Sequence, residues 1–281
     1  MRQKIDQIRK YIFHLRKGGL KQLLKFHNLN QFEKKIFFQK KLKWNNLGYW
    51  QVDPMPTDEE LHKFYSELYW LNNSFYKSLI LTPRDINHYL FLEEKIFNKL
   101  PENIDFMNFG AGHGGISYLM ATKKSKIVNI EPSEIPSFKY NNFSNYKNID
   151  EYINKHDPNS IDFIYSSHTV EHLSDPLSFL KKITKVLKKN AFIFIEVPNC
   201  RKSLITDDYE EGGCDGKIVG SHLIYFTKDF FMNLNSEISF FKEQNNGQEF
   251  IKVESEDTAD CIRAIFRAED IQNWLKDRKF D

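Results

Sequence analysis

The chain has 281 residues, 41% of them apolar and 15% aromatic, with a formal net charge of +2, which is enough apolar mass for one large domain or one domain with a cap. No apolar run approaches the roughly 20 residues that a membrane-spanning helix needs, and "MRQKIDQIRKYIFHLRK" at the N-terminus lacks the apolar centre of a leader peptide; the expected address is the cytoplasm. Cys200, Cys214 and Cys261 form no CxxC pair and are too few for a disulfide scaffold or a four-cysteine zinc site, so they are expected to be reduced.

Charge is balanced overall but not along the chain. Residues 1–43 carry 13 Lys/Arg against Asp6 and Glu33, a net of +11, and the remainder carries 27 basic against 36 acidic residues, a net of −9. Ile5, Ile8, Ile12 and Leu15 fall at helical spacing, and Gly18-Gly19 ends the stripe before a second basic stretch. Such a basic amphipathic arm has two readings. One is docking, to an anionic membrane face (which would make the protein peripheral to the inner membrane surface), to a polyanionic substrate or to an acidic partner protein; the other is a solvated Lys-rich face packed on its own domain or on a second copy in a homodimer. No nucleic-acid recognition motif accompanies it, so nucleic acid is not an expected partner.

From Trp44 the texture turns aromatic. Thr57 followed by Glu60 has capping-box spacing and starts a helix; Phe64, Tyr65, Tyr69, Trp70, Phe75 and Tyr76 follow. These rings form either a helical lid packed on the core or, Tyr69 and Tyr76 first, the wall of a ligand cleft. Residues 1–80 are thus read as arm and lid, and residues 81–281 as the main domain.

After residue 100 strand and helix signals alternate. "NIDFMNF", "KIVNIEP", "SIDFIYSSH" and "AFIFIEVPN" read as buried strands. Helices are expected at residues 114–122, near 134–146 and over "DPLSFLKKITKVLKK", the last with Ser174 and Asp175 as N-cap candidates. "SFFKEQ" and "DCIRAIFRAED" supply the last strands. The alternation predicts an α/β fold with a doubly wound parallel sheet and ligands at the carboxyl ends of its strands. The turn after the first strand, "NFGAGHGGISYL", satisfies G-x-G-x-x-G at Gly110, Gly112 and Gly115, with Glu131 about 20 residues on. Alone it fits a nicotinamide dinucleotide site, although about 100 residues precede a unit that usually opens such folds.

"DFMNFGAGHG", "VNIEPS", "IDFIYSSHTVEHLSDP", "LKKNAFIFIEVPN" and "SHLIYFT" together, in this order and spacing, resemble class I S-adenosylmethionine-dependent methyltransferases, closest to those that modify sugars and surface polysaccharides. The resemblance covers about residues 100–240, and "PMPTDEELHKFYSELYW" is similar to the N-terminal lid of sugar methyltransferases. It implies a mostly parallel seven-stranded sheet, with the terminal strand antiparallel, behind an N-terminal helical extension, and S-adenosylmethionine as cofactor. Gly110, Ala111, Gly112 and Gly114 would form the cofactor loop, Glu131 with Pro132 would read the ribose, and Asp150 and Ser167 would lie along the same pocket. Asn108 stands where family members often carry an acidic residue.

For the acceptor the resemblance points to His222 as general base, with His168 second; His172 and Tyr225 fall with the lid tyrosines on the substrate side. Asp162, Glu171 and Asp175 show no ligand spacing, so no metal is expected. The absence of any cysteine before Cys200 separates the chain from sugar C-methyltransferases, which typically carry a cysteine-rich zinc module. It favours O-methylation of a nucleotide-linked sugar or of a capsule or lipopolysaccharide unit, with loop 200–220 setting acceptor choice. Methylation of a non-sugar small molecule at nitrogen, carbon or a quinone oxygen is the alternative, and an NAD-dependent sugar oxidoreductase a more distant one.

Overall fold

Short apolar runs separated by helices build this molecule, and each is visible in the computed structural model, which describes residue 32 and residues 36–37, 40–68, 81–123, 125–133, 143–200, 222–245 and 249–278. The basic arm through residue 31, Tyr69, Tyr76, residues 134–142, Cys214 and the rest of loop 201–221 lie outside the described residues. In chain order come β1 (Lys41–Asn45), β2 (Tyr49–Asp53), α1 (Asp58–Lys63) running into a π-turn (Phe64–Leu68), α2 (Pro83–Lys95), β3 (Asp105–Phe109), α3 (Gly115–Ala121), β4 (Lys126–Ile130) and β5 (Phe143–Tyr146). There follow α4 (Ile149–Ile153), β6 (Ile161–Ser167), a 3-10 turn (Val170–His172), α5 (Pro176–Val186), β7 (Leu187–Pro198), β8 (Ile224–Phe226), α6 (Lys228–Met232), β9 (Glu237–Gln244), β10 (Glu249–Val253), β11 (Cys261–Arg267) and α7 (Ala268–Asp277).

The main sheet has the order β10-β9-β11-β7-β6-β3-β4-β5. Strands β5, β4, β3, β6 and β7 are parallel, while β11 is antiparallel to both β7 and β9. The resemblance implied seven strands; the sheet has eight, of which β10 is a hairpin partner of β9. The chain lays β4 and β5 on one side of β3 and then returns to β6 on the other. The strand order therefore reverses between β3 and β6, which opens a crevice at their carboxyl ends.

Strand alternation sorts side chains to the two faces. Met107, Phe109, Ile164, Ile193 and Ile195 pack toward Leu180, Ile183 and Ile271 of α5 and α7. Phe106, Phe163 and Phe194 pack toward Phe91, Leu92, Ile116 and Met120 of α2 and α3. Thr57 and Glu60 make the expected capping box at α1, and Thr82 with Asp85 makes a second one at α2. Asp175, one of the two expected caps, accepts from Leu177 N and Ser178 N at α5.

Two expectations are corrected. Residues 143–146, read as the end of a helix, form strand β5, which pairs with β4 along its whole length. The helix read through residue 189 stops at Val186, because Leu187 turns extended, buries its side chain and pairs with Ile161.

The hairpin β1–β2 is an addition to the elements expected from sequence. It pairs through β2 with β8 as a three-stranded antiparallel sheet, so segments on either side of residue 80 share one sheet. Its turn is fixed by Gly48, at φ +100°, where an added Cβ would overlap the backbone of Phe230. The Gly48 carbonyl accepts from both Thr227 N (3.1 Å) and Thr227 Oγ1 (2.8 Å), which clamps the hairpin to the start of α6.

Candidate active site

At the end of β3 the backbone takes left-handed conformations at Gly110 (φ +76°), Gly112 (+53°) and Gly114 (+79°), which glycine adopts without steric cost. Gly110 N and Ala111 N both donate to Ile130 O, at 2.9 and 3.1 Å, which ties the loop to the end of β4. A Cβ on Gly110 would overlap the Thr169 side chain, so the loop is packed directly on the turn that follows β6. A Cβ on Gly112 would meet nothing within 4 Å among the described residues. Beside this open backbone stands Glu131, whose carboxylate accepts from Gly112 N at 3.0 Å and from Ser133 N at 3.2 Å across Pro132. Bare backbone facing space with a carboxylate at its edge fits a ligand that carries hydroxyl groups and no phosphate.

Other residues singled out in the sequence have partners of their own. Asn108 is buried and donates to Ser117 Oγ (2.8 Å), which donates to Asn129, which in turn donates to Asn145. This polar chain crosses β3, β4 and β5 beneath the loop. Asp150 is exposed and lies 2.6 Å from Lys182 Nζ. Asp162 pairs with Lys188 at 2.7 Å. Ser167 Oγ donates to Glu196 Oε1 at 3.3 Å.

Glu196 organises a buried charge network that the sequence alone does not reveal. It sits on β7 directly opposite Arg263 of β11, and both side chains are 0% exposed. Arg263 Nε donates to Glu196 Oε2 at 2.7 Å, its other end donates to Asn87, and its guanidinium lies 3.6 Å from the centre of the Phe241 ring. His88 Nε2 lies 2.7 Å from Glu196 Oε2, and its Nδ1 contacts the Tyr165 hydroxyl. Burial, more than the opposing pull of Glu196, lowers the His88 pKa below the histidine range. Since a carboxylate only accepts, the single proton of neutral His88 sits on Nε2 and Tyr165 donates to Nδ1. Burial raises the Glu196 pKa, but His88, His168 and Arg263 outweigh it and keep the group ionised well below the usual carboxylate range.

Next to this network lies a cluster of three histidines around one carboxylate. Glu171, on the 3-10 turn after β6, is 1% exposed, and among the described residues neither of its oxygens accepts a hydrogen bond of good geometry. Its Oε1 lies 3.3 Å from His168 Nδ1 and 3.9 Å from Nε2 of both His172 and His222. His168, held at φ +49° with its N–H on Glu196 O, also places Nε2 3.2 Å from Glu196 Oε1 and 3.8 Å from Cys261 Sγ. Burial lowers its pKa, yet Cys261, Glu171 and Glu196 together hold it well above the histidine range, so it is an imidazolium at neutral pH. His222 has the opposite state: burial, reinforced by the charge of His172, takes its pKa down to about 3. Burial works against ionisation of Glu171, but the surrounding imidazoles win and set it at about 2.

His222 reaches this cluster through the small sheet. Leu223 N donates to Glu171 O at 2.8 Å while Leu223 O accepts from Val52 N at 2.9 Å, so β2 and the 3-10 turn pin the residue after His222 from both sides. Its ring lies 4.9 Å from that of His172 and 6.1 Å from that of Tyr225. Tyr65, in the π-turn, packs its ring 5.8 Å from His172, and its carbonyl accepts from Ser133 Oγ at 2.7 Å. The aromatic segment therefore touches both the Glu131 side and the histidine side of the crevice, through Tyr65. The fold thus brings together His168, His172, His222 and Tyr225 and, through the Thr169–Gly110 contact, sets them beside the glycine loop. Glu196 and Arg263 were visible only as lone charges in apolar strands.

A family model described as a methyltransferase domain matches residues 85–281, more than half of the chain. No curated protein sequence matches. Among solved structures, the [4+2]-cyclase SpnF superposes with a TM-score of 0.54 at 13% identity, over 76% of this chain and 97% of its own. The Burkholderia thailandensis 1,6-didemethyltoxoflavin-N1-methyltransferase does so at 0.52 and 10%, over 81% and 98%. A methyltransferase from Archaeoglobus fulgidus is 19% identical over 65% of this chain and 94% of its own, with a TM-score of 0.45. With its sheet order, its open glycine loop and this family match, the chain belongs to the class I S-adenosylmethionine-dependent methyltransferases.

Proposed function

We propose that the protein methylates a hydroxyl group, on a nucleotide-linked sugar or a surface-polysaccharide unit. S-adenosylmethionine, when bound, supplies a methyl group on a sulfonium that leaves as a neutral thioether. Toward it, Gly110, Ala111 and Gly112 offer close backbone, Glu131 offers a carboxylate for the ribose hydroxyls, and Tyr65 closes the side of the crevice against water.

The observation that carries the hydroxyl reading is the cluster of Glu171, His172 and His222, two of them on the turn whose Thr169 packs on Gly110. A sugar hydroxyl is hardly acidic and must lose its proton as its oxygen is alkylated, which calls for groups that handle a proton there. His168 already carries its proton between two carboxylates and can only donate. His222, neutral and 11% exposed, offers a lone pair to the hydroxyl side. The sugar itself is supported by the motif resemblance, and the basic arm suits phosphate groups on such an acceptor.

Mass spectrometry of nucleotide sugars, oligosaccharides and small amines incubated with protein and S-adenosylmethionine tests the reading. A gain of one CH2 on a sugar hydroxyl is expected, and His222→Ala should lower kcat by about 10²- to 10⁴-fold. Methylation of the amines alone would overturn the sugar reading. Thermal stabilisation by NAD and not by S-adenosylmethionine would overturn the methyl-transfer reading altogether.

A further inference from the structure

We propose that Glu171, His172 and His222 bind a divalent transition-metal ion that holds the acceptor's hydroxyl oxygen; this deepens the hydroxyl-methylation reading and rests on it. Sequence spacing does not point to a metal, because the donors come from two segments 50 residues apart that the fold brings together, in part through the Leu223–Glu171 hydrogen bond.

Four features of the cluster support a cation. One nitrogen of each imidazole and one oxygen of Glu171 lie within 4.8 Å of one another. With the nitrogens at 3.9 Å from that oxygen, the point in their plane equidistant from all three is roughly 2.1–2.5 Å from each, within a few tenths of an ångström of ordinary metal–ligand bonds. Second, the Glu171 carboxylate is 1% exposed and accepts no hydrogen bond among the described residues, and the imidazolium 3.3 Å from its Oε1, His168, is shared with Glu196. That is a costly arrangement for a buried anion unless a further cation meets it. Third, the site is buried at Glu171 and partly exposed at the imidazoles, where His172 and His222 are 15% and 11% exposed. Three protein ligands with an open face are the pattern of a catalytic rather than a structural site. Fourth, Thr169, two residues before Glu171, packs on Gly110, which sets that open face beside the cofactor loop.

The donor set selects the ion. Two imidazoles and one carboxylate favour Mn²⁺, Fe²⁺, Co²⁺ or Zn²⁺ over Mg²⁺ and Ca²⁺, which prefer all-oxygen sites. A cation there lowers the pKa of a coordinated hydroxyl. The hydroxyl proton passes to water, the methyl–sulfur bond breaks and the methyl–oxygen bond forms. His222 then gives its lone pair to the metal and is a ligand rather than the base. The second cluster, His168, Glu196 and Cys261, is not such a site, because Glu196 is already held by Arg263 and His88.

The test uses the full chain after treatment with EDTA. Titration with Co²⁺, followed by visible absorption and calorimetry, should show one equivalent bound. Glu171→Gln and, on the more exposed side, His172→Gln should each weaken binding by more than about tenfold, with S-adenosylmethionine binding retained as the check on folding. Methylation of a sugar hydroxyl should stop in EDTA and return with Co²⁺ or Mn²⁺. Absence of Co²⁺ binding, or unchanged affinity in both variants, would overturn the proposal. Full turnover in EDTA that His222→Ala abolishes would also overturn it, while leaving hydroxyl methylation with His222 as base. Stoichiometric Co²⁺ binding in a protein that methylates only amines would sustain the metal site and overturn the hydroxyl reading.

Discussion

Glu196 joins Arg263, His88 and His168 in one buried network. It is fully buried, faces Arg263 across two strands, takes the one proton of neutral His88 as a hydrogen bond and anchors His168. Breaking a buried ion pair by removing one partner leaves the other charge uncompensated, which typically costs about 3–5 kcal/mol. Glu196→Gln should therefore lower the unfolding free energy by about that much, measured by urea titration, with Arg263 as the group left stranded. The double change Glu196→Leu/Arg263→Met removes both charges and should recover part of the loss. A Glu196→Gln protein as stable as the parent would show that the network is idle. Both residues were legible as anomalies, a lone acid in "FIFIEVP" and a lone base in "CIRAIF". That they face each other was not, because register between strands 67 residues apart is set by the whole sheet rather than by either segment.

At the scale of elements, what local sequence dictates was legible and what needs a distant partner was not. The parallel strands and their helices follow from contiguous apolar runs and caps, down to the Thr57–Glu60 box and the Asp175 cap. The hairpin β1–β2 has a weak signal of its own: "KLKWN" alternates charged and apolar residues, but five residues make a strand only when β8 completes the sheet. That sheet positions the histidine side of the crevice, since its strand β2 holds Leu223 and hence His222. Gly48 is the point where it is attached to α6. Gly48→Ala puts a side chain at φ +100° and into the Phe230 backbone, strain that costs roughly 2 kcal/mol or more. The prediction is a lower melting temperature together with about a tenfold or larger fall in kcat, because a displaced β2 shifts His222 relative to Glu171. A variant that loses stability but keeps its kcat would mean that the small sheet supports the fold and not the site.

For the whole molecule, the buried network of residues 88, 196 and 263 adjoins the cluster of residues 168–172 and 222, and the protonation of the site couples to folding. Five of the groups packed in or beside it have folded pKa values below their unfolded ones. Glu171 falls to about 2 and His222 to about 3; Glu196, Asp85 and His88 are lowered as well. For such groups the unfolded chain binds protons first, so their contribution is complete above the unfolded value and is lost as pH falls through the folded value. His222 is decisive, because its window runs from its ordinary 6.5 down to about 3. At about 1.4 kcal/mol for each tenfold change in proton affinity, its contribution is a few kcal/mol. His168 has the opposite sign: raised above 6.5, it stabilises the fold in acid and ceases to do so as pH rises through its folded value. Metal-free protein should therefore melt highest near neutrality and lose stability steadily as pH falls from 6.5 toward about 4. His222→Gln should flatten that acidic limb, and His168→Gln the alkaline one. Melting temperatures taken across this range by circular dichroism decide it: a profile that stays level from about pH 7 to about pH 4, or an acidic limb unchanged in His222→Gln, would mean that His222 is not held neutral by the fold.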